Sequence, residues 1–320
     1  MYILTIIPCV NIKVFETLTY FSKENVLPGN IVVVKLRGKK IYGLVTDIEP
    51  IENLKSEIKN ASFSLKPIDN ISGNVFIDPY YQKTIEAVSK HYLISLSVAT
   101  SFLIPIPLLA INEKINNLVE IKKFNKKETK IRVEKLIFQA PKNERVAYYR
   151  TYIRESFARK ESIFFVFPTI SDANSWYAEL SRGIEEFSYI IHSGKNTKKI
   201  ESTTISLLKT DHPIIIISTP SFISIPRHDV GTFIIEEESK GAYKHVREPN
   251  IDMAEVVEIY GSAKKIKIIL GSTFLKIETL IKREALEYGE VMPPSFRLEG
   301  DTEIVMIKKS TKENVCFFTV

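Results

Sequence analysis

The pattern of hydrophobic and polar positions divides the chain into a β-rich first third and a remainder in which strands and helices alternate. In the first third, runs rich in β-branched residues predict strands at Met1–Val10, Phe15–Tyr20, Ile31–Leu36 and Ile41–Asp47. A helical pattern follows over Tyr81–Leu103 and stops at the double proline of Ile104-Pro-Ile-Pro. Together these elements predict a small β-rich domain over residues 1–105.

A polar stretch rich in Lys and Arg comes next, and residues 106–131 are interpreted as a basic linker. From residue 132 to 320 the alternation predicts an α/β domain with a doubly wound parallel sheet. Its strands are predicted at Glu134–Phe138, Ser162–Phe167, Ser188–Ile191, Pro213–Ser218, Thr232–Glu236, Lys267–Leu270 and Thr302–Ile307. Its helices are predicted at Arg145–Ala158, Ser171–Leu180, Asn196–Leu208, Ile251–Ser262 and Lys276–Glu287.

Composition changes this picture little. Hydrophobic residues make up 44% and charged residues 26% of the 320, as in ordinary globular proteins. The two cysteines, Cys9 and Cys316, lie too far apart in sequence to indicate a disulfide framework or a zinc site, which favours a reducing cytoplasm. No apolar run approaches the roughly 18 residues of a membrane span. The formal net charge of +6 indicates a polyanionic partner, although only weakly.

The candidate chemistry lies in one acidic stretch. The apolar run Phe233–Ile235 leads directly into Glu236, Glu237 and Glu238. Acids at the carboxyl end of a parallel strand lie where open α/β sheets form their ligand crevice, and phosphate-hydrolysing enzymes use that position for a metal and a water. The alternative is a solvated acidic turn. A phosphate-binding loop elsewhere in the chain would decide between them.

That loop is missing from the sequence. A P-loop needs glycines that let backbone amides converge on phosphate, and a lysine that neutralises it. The connection after the first α/β strand reads Phe138-Gln-Ala-Pro-Lys-Asn-Glu-Arg, which has no glycine, and Pro141 removes an amide donor. Lys142 and Arg145 remain as candidate cations for a nucleotide, but they cannot restore the amide cradle. The sequence therefore argues against ATP binding of the usual kind.

A second candidate site lies in the first domain, where Arg37-Gly38-Lys39-Lys40 connects two strands. The turn is either a solubilising loop or a phosphate contact, in which glycine lets the backbone approach. Residues 1–105 resemble the 3′-end DNA-binding domain of the primosomal protein N′ family of replication-restart helicases. The matching runs are Leu18-Thr-Tyr, Leu27-Pro-Gly-Asn-Ile-Val-Val-Val, Arg37-Gly-Lys-Lys-Ile-Tyr-Gly-Leu-Val and Leu65-Lys66-Pro67. The resemblance implies that Leu18, Thr19, Tyr20, Arg37, Gly38, Lys39 and Lys66 bind the unpaired 3′ end of a nascent strand.

The remainder resembles the first motor lobe of the same family, a RecA-like lobe. The motifs that carry the resemblance are Phe167-Pro-Thr, His192-Ser-Gly-Lys, Ser218-Thr-Pro-Ser, Leu270-Gly-Ser-Thr and Phe233–Lys244. ATP and Mg²⁺ are implied by the family, with Glu236 and Glu237 as the metal and water residues. Where the family has Asp-Glu-Glu-His, this chain has Glu236-Glu-Glu-Ser, and Glu144 replaces the P-loop lysine. Tyr243 and Lys244 match a loop that contacts single-stranded DNA, the alternative being an ordinary surface loop.

These features predict a DNA-binding replication-restart protein with a degenerate, single motor lobe and no second lobe. It is expected to recognise forked, 3′-ended or single-stranded DNA in the cytoplasm, without efficient ATP hydrolysis and without a membrane, and to contact other primosome proteins. Two alternatives stay open. One is an ATP-dependent helicase or ATPase that uses a divergent site or a separate second lobe. The other is a non-catalytic scaffold for replication proteins.

Overall fold

Two β-sheets organise the chain in the computed structural model, which describes residues 1–11, 16–52, 65–71, 77–110, 133–245 and 248–293. The first sheet contains β1 (Tyr2–Pro8), β2 (Leu18–Ser22), β3 (Ile31–Leu36), β4 (Lys39–Pro50), β5 (Lys66–Pro67) and β6 (Asn70–Ile71). Its strand order is β5-β2-β1-β4-β3-β6. The segment Lys66–Ile71 pairs with β2 at one edge and β3 at the other, so the sheet curls back on itself.

The strands predicted in the first third are confirmed with small shifts. Strand β4 extends to Pro50, and the β3–β4 turn is only Arg37-Gly38, not four residues. Both turn residues have positive φ, at 48° and 81°, which is the backbone that a tight hairpin turn needs and that glycine adopts without strain. Phe15 lies outside the described residues.

The predicted helix Tyr81–Leu103 is two helices, α1 (Pro79–His91) and α2 (Leu96–Leu103). The break has a local cause, because Leu93 turns the backbone with φ 52° and the Ser95 side chain accepts a hydrogen bond from Val98 N–H. A short helix α3 (Ile106–Ala110) occupies the start of the predicted linker, and its Leu108 and Leu109 are buried in the core. Residues 111–131 of the linker lie outside the described residues.

The second sheet has seven strands, all parallel, in the order β13-β7-β12-β11-β8-β10-β9. The strands are β7 (Lys135–Gln139), β8 (Ser162–Val166), β9 (Ser188–Ile191), β10 (Ile215–Ser218), β11 (Val230–Glu236), β12 (Lys267–Ser272) and β13 (Gly289–Glu290). The helices are α4 (Lys142–Ala158), α5 (Ile170–Leu180), α6 (Thr197–Lys209), α7 (Met253–Lys264) and α8 (Ile277–Glu284). The predicted strand Thr302–Ile307 lies outside the described residues.

The parallel sheet is buried on both faces, as its apolar strands predict. One face packs against α4 and α5 around Tyr149, Ile153 and Trp176. The other face packs against α6 and α7, and the same core continues into α1, α2 and α3 of the small domain. The mixed α/β fold, with a parallel sheet that is packed by helices on both faces, is therefore confirmed, and one hydrophobic core runs across the predicted domain boundary.

In the part of the chain that the structure describes, no helix combines the length and the apolar character needed to cross a membrane.

Candidate functional site

The acidic stretch lies at the carboxyl edge of the sheet, beside the start of helix α4. In the ladder, Glu236 of β11 pairs with Gly271 of β12, and Ser272 of β12 pairs with Gln139 of β7. Helix α4 begins at Lys142, and only two residues separate it from the end of β7. The acids at the end of β11 and the first turn of α4 are thus brought to one place, although about 90 residues separate them in sequence.

The side chain of Arg145 fills the space between them. Its Nε donates to Glu236 Oε2 at 3.1 Å, and its Nη2 donates to Glu237 Oε1 at 2.5 Å. Its Nη1 donates to the carbonyl of Ala140 at 2.5 Å and to Thr273 Oγ1 at 3.0 Å. The side chains of Arg145 and Glu236 are both fully buried, so their charges face each other without solvent screening.

A tyrosine holds the other oxygen of the same carboxylate. The hydroxyl of Tyr149 donates to Glu236 Oε1, and both groups lie against the backbone of Gly271. A Cβ at position 271 would lie 2.0 Å from Glu236 Oε1 and 2.2 Å from the Tyr149 hydroxyl. Glycine is therefore required there by close approach, because any side chain would displace the carboxylate from its partners.

Burial raises the pKa of Glu236 to about 7, and the Arg145 guanidinium opposes that rise. Burial, together with the Glu236 carboxylate, raises the pKa of Tyr149 well above its usual value, so its hydroxyl stays protonated and donates. The geometry is that of a carboxylate held by one cation and one neutral donor.

The other two glutamates have separate partners. Glu237 has a left-handed backbone, with φ 54°, and its side chain is 19% exposed. Glu238 is buried, and its Oε1 accepts a 2.6 Å hydrogen bond from the backbone N–H of Lys276, the residue that precedes α8. Glu238 therefore stabilises the start of a helix. All three acids of the motif have partners inside the protein, so the alternative of a solvated acidic turn is wrong.

The residues present do not fit a magnesium nucleotide. The connection between β7 and α4 is Ala140-Pro141, which is too short for a phosphate loop and has only one amide N–H. The guanidinium of Arg145 lies where the carboxylates would meet a metal. Lys142 points to α5, where its Nζ donates to Ser175 Oγ at 3.0 Å and lies 5.3 Å from the Trp176 ring centroid. Within the described ranges, no three His, Cys, Asp or Glu side chains are grouped as metal ligands.

Tyr243 does not lie on the surface. It is 1% exposed, and its hydroxyl is 2.8 Å from the carbonyls of both Val166 and Glu236. Its ring therefore cannot contact DNA in this structure, and the predicted role is corrected to tying the loop to two strand ends. Lys244 is exposed, and the next residue, His245, packs edge-on against Phe102 of the small domain at 4.7 Å.

Tyr20 needs a similar correction. It is 5% exposed inside the first sheet, and its hydroxyl donates to the carbonyl of Lys35 at 2.8 Å. Its ring offers no free face on which a base could stack. Leu18 is half-buried, whereas Thr19 is exposed. Lys66 is exposed and lies across from Tyr20, the residue after Thr19, in the β2–β5 register.

The turn Arg37-Gly38-Lys39 belongs to the same end of the sheet. The segment Lys66–Ile71 runs antiparallel to β3 and so carries Lys66 back toward this turn. Asp69, in that segment, pairs with Lys40 at 3.3 Å and with Lys35 at 3.7 Å. Arg37, Gly38 and Lys39 are exposed. Among the predicted DNA-binding residues, Arg37, Lys39 and Lys66 thus form an exposed cationic group, whereas Tyr20 and Tyr243 are buried.

No role was predicted for several residues that hold the acidic site, namely Tyr149, Gly271 and Thr273, although the motif Leu270-Gly-Ser-Thr contains the last two. A signal was available for Tyr149, because it lies four residues after Arg145 and the two therefore share one face of α4. Trp176 was also missed, and its ring centroid lies 5.5 Å from the Arg145 guanidinium carbon. For Gly271 the signals were its place in the motif Leu270-Gly-Ser-Thr and its position at the end of a buried strand.

Comparison with known proteins agrees with this architecture. The family model of the PriA 3′DNA-binding domain (3′BD) matches residues 9–105. The replication restart protein PriA of Helicobacter pylori strain J99 is 23% identical over 261 residues, which cover 80% of this chain and 40% of that protein. PriA of Rickettsia conorii is 22% identical over 301 residues, which cover 90% and 45%. The chain spans less than half the length of these relatives.

A solved structure of RecG bound to a three-way DNA junction aligns with 68% of this chain and 29% of its own, at 16% identity and a TM-score of 0.36. Residues 9–105 thus match the family model of the PriA 3′DNA-binding domain, and the chain is similar to replication restart protein PriA along most of its length.

Proposed function

We propose that this chain is a DNA-binding replication-restart protein that recognises branched DNA through the unpaired 3′ end of a nascent strand, without efficient ATP hydrolysis. It works in the cytoplasm and contacts other primosome proteins. The proposal rests on the match of residues 9–105 to the PriA 3′DNA-binding domain. It draws further support from relatives described as replication restart proteins.

One observation carries the proposal. Within the matched domain, the exposed Lys66 pairs with Tyr20, the residue after the exposed Thr19, and the exposed Gly38 and Lys39 lie at the β3–β4 turn. Gly38 leaves the backbone open, since nothing lies within 4 Å of the position of its missing Cβ. An exposed backbone flanked by two lysines suits a phosphate next to a strand end, and the Thr19 hydroxyl offers a hydrogen bond to a sugar hydroxyl.

The alternative of an ATP-dependent helicase has less support. A triphosphate and its metal would have to displace a buried guanidinium from two carboxylates, and the short Ala140-Pro141 connection offers no amide cradle. A scaffold role without DNA binding is disfavoured by the cationic group in the matched domain. ATP hydrolysis and DNA binding are separate measurements, so each alternative has its own test.

The test compares two synthetic forks that differ only at the nascent 3′ end, one with a free hydroxyl and one with a phosphate. The free end is expected to bind more tightly. Lys66→Glu is expected to weaken binding about tenfold or more and to remove the difference between forks, because it reverses a charge beside the end. Lys83→Glu is the matched control, since Lys83 is an exposed lysine on α1, away from that end, and the net charge changes equally.

Equal binding of both forks by the wild-type chain would contradict the proposal. So would an equal loss of affinity in the Lys66 and Lys83 variants, which would indicate only a general dependence on charge. Magnesium-dependent ATP turnover that Glu237→Gln abolishes would instead support the helicase alternative.

A further inference from the structure

The acidic site has the oxygen ligands of a cation site, but an arginine occupies it. We infer that Arg145 is a built-in substitute for a divalent cation: its guanidinium closes a latent site that would accept Mg²⁺ or Mn²⁺ once the arginine is removed. This inference concerns the lobe alone and does not depend on DNA binding.

The atoms that the Arg145 guanidinium contacts are oxygens. They are two carboxylates, from Glu236 and Glu237, one backbone carbonyl, from Ala140, and one hydroxyl, from Thr273. These oxygen types are the ligands of hard divalent cations. Four oxygens from three parts of the chain converge on one positive group, and that group is a side chain and not an ion.

The geometry also explains why an ion cannot compete with Arg145. The guanidinium is fully buried and is covalently attached to the first turn of α4, so it reaches the site without the entropic cost that a free ion pays. It lies against the Trp176 ring, which covers it. An entering cation would have to displace this buried charge from the carboxylates that it contacts.

The acidic side of the site is fixed independently of Arg145. Tyr149 donates to Glu236 Oε1, and the absence of a side chain at Gly271 makes room for both groups. The backbone of Glu237 is set by a turn in which Lys240 N–H donates to its carbonyl at 2.9 Å. Removing the arginine therefore leaves the Glu236 carboxylate oriented by Tyr149 and the backbone of Glu237 held in place beside it.

The experiment measures thermal unfolding with and without millimolar Mn²⁺ or Mg²⁺, in the full chain. The midpoint of the wild-type protein is expected to stay unchanged. Arg145→Ala is expected to gain a rise of about 3 °C at a metal concentration roughly ten times the dissociation constant. Arg145→Ala/Glu237→Gln is expected to lose most of that rise. Lys142→Ala, which removes a neighbouring exposed cation, should behave as the wild type does.

Arg145→Lys serves as a second variant if Arg145→Ala does not fold, because it keeps one charge in the site. An ammonium cannot span both carboxylates as the forked guanidinium does, so a smaller rise that also depends on Glu237 is expected. The inference is overturned if the wild-type chain binds Mn²⁺ in a manner that Glu237→Gln abolishes. It is equally overturned if neither Arg145 variant shows a rise that depends on Glu237.

Discussion

The hydroxyl of Tyr260 donates to Asp78 Oδ2 at 2.5 Å, and this hydrogen bond crosses from the lobe to the first helix of the small domain. The other carboxylate oxygen of Asp78 accepts the N–H of Tyr81 and so caps α1. The rings of Tyr81 and Tyr260 meet edge to face at 4.9 Å. One carboxylate therefore both starts a helix and fixes that helix against α7.

Tyr260→Phe should destabilise the whole chain by about 1–3 kcal/mol, because it leaves a buried carboxylate oxygen without its donor. Urea denaturation would measure this by far-UV circular dichroism and by the fluorescence of Trp176, the single tryptophan. Both signals should shift together, since the two parts share a core. Tyr189→Phe is the control. It removes a half-buried hydroxyl that is hydrogen-bonded to Thr210, and it should destabilise the chain less than Tyr260→Phe does. Two separate transitions in the wild-type protein would contradict a shared core.

Arg145→Met should destabilise the protein by about 3–5 kcal/mol near neutral pH, because it leaves the Glu236 charge buried without its cation. The pKa of Glu236 rises from 4.5 to about 7 on folding even with Arg145 present. The folded state therefore holds this proton more tightly than the unfolded state does. Stability from this group is present at low pH and is lost as pH rises through the folded pKa.

The loss of stability in Arg145→Met relative to the wild type should accordingly be larger at about pH 8.5 than at about pH 5.5. Denaturant midpoints of both proteins at each pH would measure it. The double variant Arg145→Met/Glu236→Gln should lose most of this pH dependence, because no buried carboxylate at position 236 remains to titrate. A loss that is the same at both pH values would show that the arginine acts only through packing.

Gly271→Ala should cost about 1–3 kcal/mol or more, because its Cβ would overlap the Glu236 carboxylate and the Tyr149 hydroxyl. Gly241→Ala is a matched control. Nothing lies within 4 Å of the Cβ position at Gly241, and its φ is not positive, so a change within about 0.5 kcal/mol is expected. The midpoints of thermal unfolding of both variants would measure this difference in stability. Similar midpoints for the two would mean that the Glu236 carboxylate does not lie against Gly271.

Tyr243→Phe tests whether this tyrosine supports the fold or contacts DNA. Loss of its buried hydroxyl should lower the free energy of unfolding by about 1 kcal/mol, since the single O–H donor shared by the carbonyls of Val166 and Glu236 is removed. Affinity for forked DNA should stay within about twofold, since the ring is buried. Fluorescence anisotropy at a temperature well below unfolding would measure it. A large loss of affinity without loss of stability would restore the tyrosine as a DNA contact.

Much of this arrangement could be predicted from the sequence. The apolar run Phe233–Ile235 fits a strand that is buried on both faces of a parallel sheet, and this predicted the acids at the carboxyl edge of the sheet. The absence of glycine before α4 excluded a phosphate loop. What the pattern could not supply was the pairing of Arg145 with Glu236, because contacts between residues so far apart depend on strand order, which periodicity does not fix.

The burial of Tyr20 and the burial of Tyr243 were missed for different reasons. Tyr20 shares a strand face with Leu18 and Ser22, and the alternation of β2 indicates that this face points inward, so its burial could have been inferred. Tyr243 follows a polar, glycine-containing loop that is typical of a surface segment. Its burial depends on a short 3₁₀ turn, Gly241–Tyr243, that folds the ring back under the strand ends.

The core that runs from α6 and α7 into α1 has a practical meaning for anyone who dissects this protein. Truncation after residue 105 would remove the lobe that covers Tyr81, Ile85 and Val88. Each of these residues is at most 1% exposed in the intact chain. The excised fragment would expose an apolar face, and copies of the fragment would associate through it. Oligomers of that fragment, and any avidity for DNA that they confer, would be products of the cut and not properties of the protein.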